Sequence, residues 1–254
     1  MSVQPVQNCQ RDDLPLMGLK ECMETYGVSE APKGKVDPND PHQEWTNNCL
    51  STRTVAYTCG RLCRDGDTVV HNHDPAEIDR CQQIALEAAG LMDGIEVGMG
   101  TEASDVFFYP FFVTANLDQP IATDLTESVI RSAFGGTIYP PAKILISPLV
   151  EKGRWWELLD EDYEGYPEAL VTGDTETLEE FNPDEQAEFN EGVQVWQSLI
   201  NWFNQHDDLR SVSLVEIGDG MLSNYNLGCV FPRLIVGLTK AGSLAGLAGY
   251  VVYT

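Results

Sequence analysis

Phe189, Val193, Trp196, Ile200 and Phe203 recur at intervals of four, three, four and three residues, the spacing that puts side chains on one face of an α-helix. Glu188, Glu191 and Gln194 fall between them and face water. Asn182-Pro183-Asp184-Glu185 supplies the start: a capping side chain, a proline in the first turn, and carboxylates beside the positive end of the helix dipole. The same pattern appears earlier. Ile78, Cys81, Ala85, Ala88 and Met92 keep 3–4 spacing after Asp74-Pro75, with Glu77 in the capping-box position. That helix should stop near Asp93-Gly94. A third helix is predicted from Asp124 to Phe134, capped by Thr123 or Asp124 and ended by Gly135-Gly136.

Strand patterns lie between and after these helices. Val106 to Val113, rich in Phe and Tyr, reads as a strand covered on both faces. Lys143–Ile146, Val212–Ile217, Val230–Val236 and Tyr250–Tyr253 read as further strands with glycine-rich turns among the last of them. Trp155 and Trp156 read as strand neighbours with one ring in the core. These patterns predict an α/β domain over residues 75–254. Residues 1–74 read instead as an irregular, cysteine-containing extension punctuated by Pro32, Pro38 and Pro41. Within it, Thr52 to Tyr57 suggests a short strand, and Asp65-Gly66 a turn before Thr68-Val69-Val70. Cysteine usage marks the same boundary, because Cys9, Cys22, Cys49, Cys59, Cys63 and Cys81 fall in the first third and Cys229 stands alone.

Charge narrows the function classes. Forty Asp and Glu against fifteen Lys and Arg give a formal charge of −25. Direct nucleic-acid binding depends on cationic side chains that are scarce here, so a basic protein is the natural partner. From Glu151 to Arg210 there are seventeen acidic residues and three basic ones; the negative field concentrates there. A hydrophobic fraction of 43% excludes a wholly disordered acidic chain. No apolar run is long enough to span a bilayer, and the first residues lack a signal-peptide pattern, so a soluble cytoplasmic protein is expected. The oligomeric state is not readable from the sequence.

No nucleophile elbow, phosphate loop or dinucleotide fingerprint is present, and the expectation is a binding protein rather than an enzyme. One region keeps other chemistry open. Cys59-x3-Cys63 with His71-x-His73, and Cys81 nearby, has ligand types suited to Zn²⁺, although the spacing matches no standard pattern. Disulfides or free thiols are the alternative reading of those cysteines, and a metal-binding hydrolase using His71 or His73 is the alternative function. No other cofactor is implied.

The final segment, Gly237-Leu238-Thr239-Lys240-Ala241-Gly242-Ser243-Leu244-Ala245-Gly246 followed by Val251-Val252-Tyr253-Thr254, resembles the end of the nuclease A inhibitor family. The helix opened by Glu77-Ile78, its stop at Asp93-Gly94 and the following Asp105-Val106-Phe107-Phe108-Tyr109 resemble that family's first helix and strand in order and spacing. The chain departs from it in a longer middle and in Met221 to Gly228, which looks inserted. The resemblance covers residues 75–254 and implies an α/β/α sandwich with a mixed sheet that plugs a Mg²⁺-dependent, non-specific nuclease. It implies that Thr254 reaches the hydration shell of the nuclease metal, that Glu102 meets a nuclease arginine, and that Phe181 stands where the family has an interface tryptophan, with Trp155 and Trp156 as rivals. Glu179, Glu180, Asp184 and Glu185 would add to electrostatic attraction. A general acidic interaction module for cationic proteins is the other non-enzymatic reading.

Overall fold

The computed structural model describes residues 49–51, 53–67, 72–92, 108–163, 165–218 and 230–252. Two sheets organise them. Strands β1 (Thr54–Tyr57) and β2 (Arg61–Arg64) form an antiparallel hairpin, and β3 (Tyr109–Val113), β4 (Ile144–Pro148), β5 (Leu209–Ile217), β6 (Val230–Thr239) and β7 (Leu244–Val252) form a sheet ordered β3-β7-β6-β5-β4. Among the described residues every pairing in that sheet is antiparallel. The helix-and-sheet class is as expected; the mixed sheet is not, because β5, β6 and β7 follow one another as neighbours and β3 and β4 add antiparallel at the two edges.

Helix α1 (Pro75–Gly90) starts where expected, with the Asp74 carboxylate accepting from the Ala76 N–H. Helix α2 (Glu127–Ala133) starts later than the sequence suggested. The Thr123 hydroxyl donates to Asp124, whereas Thr126 accepts from the Val129 N–H and makes the cap. Gly135 and Gly136, both at positive φ, end that helix as anticipated. Trp155 and Trp156 lie in helix α3 (Arg154–Asp162), not a strand; the Trp155 ring is buried and Trp156 is half-buried. Two short helices, α4 (Tyr166–Thr172) and α5 (Thr175–Glu180), then lead to the long α6 (Pro183–Gln205).

Successive residues of a strand point to opposite faces, and β3 uses both. Phe111 stacks on Phe134 at the end of α2, centroids 5.8 Å apart, while Phe112 joins Cys81, Ile84 and Ala85 of α1. On α6, Phe189, Trp196, Ile200 and Phe203 are buried as their spacing required, and Val195 and Leu199 widen the stripe. Glu188, Glu191 and Gln194 are exposed.

The described part of the expected extension shares this core. Cys49, Leu50, Ala56 and Leu62 are buried in the same apolar cluster as Trp196 and Leu247. The hairpin is bonded to β3, since the Thr114 N–H donates to the Gly60 carbonyl at 2.9 Å, and the Thr114 hydroxyl donates to that of Cys59. Ser51 donates to Thr137, and Leu50 bridges Ile138. The turn expected at Asp65-Gly66 is present; Thr68-Val69-Val70 and Met221 to Gly228 lie outside the described residues.

Candidate functional site

From Trp155 to Leu209 the chain contains no Lys or Arg, and the acidic side chains from Glu168 to Glu191 face outward. Aromatic packing is the cause. Phe189 of α6 receives the rings of Trp156, Tyr163 and Tyr166 at 6.1, 5.2 and 5.1 Å, and Trp155 stacks on Trp196 at 5.7 Å. Edge-on and offset-stacked rings at such separations hold the helices against one another. Between Glu168 and Glu191, nine carboxylates are exposed. Among the described residues, none of Glu179, Glu180, Asp184, Glu188 or Glu191 forms an ion pair.

Local caps fix the helix starts within this face. Asn182 accepts from the N–H groups of Asp184 and Glu185 at 2.9 and 3.1 Å, and Glu185 reaches back to the Asn182 N–H at 2.9 Å. This reciprocal box satisfies three otherwise orphaned donors. Asp174 caps α5. The Thr177 hydroxyl, then the backbone N–H groups of Glu176 and Thr177, hold the Asp174 carboxyl below its usual value, so it stays ionised.

Sheet topology sets the direction of this face. Ile217 pairs with Ile144, Val230 with Val252, and Tyr109 with Ala248. One end of the sheet therefore carries the starts of β3, β4 and β6 and the ends of β5 and β7. Helix α6 reaches β5 through a short turn and runs back toward that end, where Trp196 meets the ring of Phe108 at 6.5 Å. Its amino-terminal half, from Asp184 to Glu191, continues in the same sense.

The expected contact residues divide accordingly. Glu179 and Glu180 are exposed in α5. Phe181 is half-buried, its ring 4.6 Å from that of Tyr166, so one side is committed to the core. Thr254 and Glu102 lie outside the described residues, although β7 is described to Val252, two residues from Thr254, and Glu102 precedes β3 by seven residues.

The cysteine–histidine set does not assemble as a metal site among the described residues. Cys59 is disulfide-bonded, which removes its sulfur as a thiolate ligand. Cys63 is a buried thiol in β2, and His73 is buried beside the cap of α1. His71 lies outside the described residues, and no group of three potential ligands occurs among those described.

Two buried charge clusters were not anticipated. Glu77, only 4% exposed, turns away from the capping position and accepts from the Thr239 hydroxyl, while Arg80 pairs with it at 3.0 Å. Burial, then the adjacent Glu77 charge, pushes the Cys81 thiol well above its ordinary value, so Cys81 stays protonated. In the second cluster, Glu216 of β5 meets Arg154 at 3.1 Å and Arg233 at 3.8 Å. Arg233 is 2% exposed in the middle of β6. A lone charge in each of two apolar runs was the available signal. Compared with known proteins, the chain matches no family model and no curated sequence.

Proposed function

We propose that this protein is a stoichiometric inhibitor of a Mg²⁺-dependent, non-specific nuclease, and that it is not itself an enzyme. The observation that carries the reading is the acidic helical face: 55 consecutive residues without Lys or Arg, within which the exposed Glu179, Glu180, Asp184, Glu188 and Glu191 form no ion pair among the described residues, on an aromatic scaffold. A nuclease cleft is cationic because it binds phosphates, so this face is complementary to it. A second observation supports the same reading. The strand leading to Thr254 and the strand following Glu102 meet one end of the sheet, toward which α6 also directs its acidic half.

In this reading the Thr254 carboxylate enters the active site and takes the place of the scissile phosphate beside the hydrated metal. A hard cation that keeps several waters accepts such an oxygen ligand, and the inhibitor offers no phosphodiester to cut. Glu102 pairs with a nuclease arginine, Phe181 supplies the apolar contact with its free side, and Glu179 and Glu180 attract the cleft. The α/β/α arrangement of the resembling family belongs to the same proposal.

The test is a titration of a basic, Mg²⁺-dependent nuclease with the full chain, followed by fluorescence of a labelled DNA substrate. Activity is expected to fall linearly to an equivalence point, with the inhibitor intact afterwards. Deleting Thr254, or adding residues after it, is expected to weaken inhibition about 30- to 100-fold, the loss of one buried charge-assisted contact. Unchanged potency would remove the terminal carboxylate from the mechanism. Salt-sensitive binding to many basic proteins without inhibition would favour the general acidic module.

A further inference from the structure

Positive charge gathers in few places on a chain with 40 acidic and 15 basic residues. One of them is a cavity of about 590 Å³ beside β4, the edge strand of the main sheet. It lies between α2, the connection leading into β4, and the first turn of α3. Arg131, Lys143 and Arg154 line it, with Glu127 and Glu216.

The two arginines are held in place by their own fold. Arg131 donates from Nε to Glu127 at 2.7 Å and from its two terminal nitrogens to the carbonyls of Tyr139 and Ala142. A guanidinium has five N–H groups, so two of Arg131's remain beyond these three bonds. Arg154 is oriented by Glu216 at 3.1 and 3.5 Å and by Glu157 at 3.2 Å. Buried Arg233 also approaches Glu216, at 3.8 Å, so four cationic side chains, Arg131, Lys143, Arg154 and Arg233, stand against Glu127, Glu157 and Glu216 around the cavity. The Glu216 carboxylate is thus shared by two guanidinium groups. Pro140 and Pro141 form part of the wall with fixed φ, which limits its collapse.

We propose that this cavity is a binding site for a small molecule carrying a carboxylate or phosphate oxyanion. Arg131 and Lys143 donate to the oxyanion, and Arg154 supplies positive potential from a fixed position. The volume lies within the range of small-molecule sites. Preorganised guanidinium groups suit planar or tetrahedral oxyanions because less side-chain freedom is lost on binding. None of the residues lining it belongs to α4, α5 or α6, and the proposal does not depend on the inhibitor reading.

Isothermal titration calorimetry of the full chain, with inorganic phosphate and separately with citrate at matched ionic strength, tests the proposal. One saturable site is expected for at least one of the two anions. Preference for phosphate assigns a phosphoryl ligand, and preference for citrate a carboxylate ligand. The exposed Lys143 permits a mild substitution: Lys143→Gln is expected to weaken binding about tenfold, the loss of one charge-assisted hydrogen bond. Lys240→Gln, in the β6–β7 turn at the other end of the sheet, makes the same change of net charge and should leave affinity unchanged. Absence of saturable binding by either anion, or equal weakening by the two substitutions, overturns the assignment.

Discussion

Glu77 illustrates how a single residue can satisfy a sequence rule and still serve another purpose. Three positions after Asp74 it fits a capping box, yet α1 is capped by Asp74 alone, and Glu77 reaches across to β6. Its carboxylate is used by Thr239 and Arg80, while the Thr239 hydroxyl also accepts from the Ser243 N–H at 3.2 Å. This ties α1 to the β6–β7 turn at a residue separation of 162, which no local pattern encodes. Leaving a buried donor without its acceptor is costly. Glu77→Ala is therefore expected to lower stability by roughly 2–3 kcal/mol in urea unfolding, against about 1 kcal/mol for Glu77→Gln, which retains an acceptor oxygen. Equal, small losses for both substitutions would show that the contact contributes little.

At the scale of elements, the glycine pattern near the end of the chain has a local explanation. Gly242 sits at φ +85 in the β6–β7 turn, which a side chain would strain. Gly246 faces the Ile235 carbonyl of the neighbouring strand so closely that a Cβ has no room. The small residues there therefore permit tight strand pairing, and this fold requirement accounts for the spacing without any partner. Gly246→Ala is expected to cost about 3 kcal/mol through overpacking against a central strand. Gly90→Ala, with open space around its Cβ at the end of α1, should be neutral or stabilising by up to about 1 kcal/mol. Paired thermal and denaturant unfolding of the two variants checks the contrast; similar behaviour would reject the steric account. Periodicity made α1 and α6 legible because their buried faces follow one helical repeat. It misplaced Trp155 and Trp156, whose aromatic character favours strands while their packing on Phe189 and Trp196 requires a helix. It also shortened β7, since Ala245, Gly246 and Ala248 look like turn residues until the close approach of β6 is known.

For the molecule as a whole, charge was the most legible property and pairing geometry the least. The acidic excess between Glu151 and Arg210 is visible by counting, but its projection as one surface depends on a cluster of rings brought together from α3, α4 and α6. The buried Arg154–Glu216–Arg233 cluster was hidden for the complementary reason: its members lie in different elements and meet only after β5, β6 and α3 assemble. A surface field and a docked contact also differ in how they respond to salt. Raising NaCl from about 0.1 M to about 1 M shortens the screening length from about 10 Å to about 3 Å, which suppresses attraction before contact more than bonds already formed. If the acidic face guides the protein into a cationic cleft, stopped-flow association with the nuclease should slow at least about tenfold over that range, while dissociation changes by less than about threefold. Replacing Glu179 and Glu180 by Lys should reduce the salt dependence of association. Both side chains are exposed and without ion pairs, so the same change should leave thermal stability nearly unaltered. An association rate independent of salt would mean that the acidic surface has no steering role, and recognition would then have to rest on short-range contacts alone.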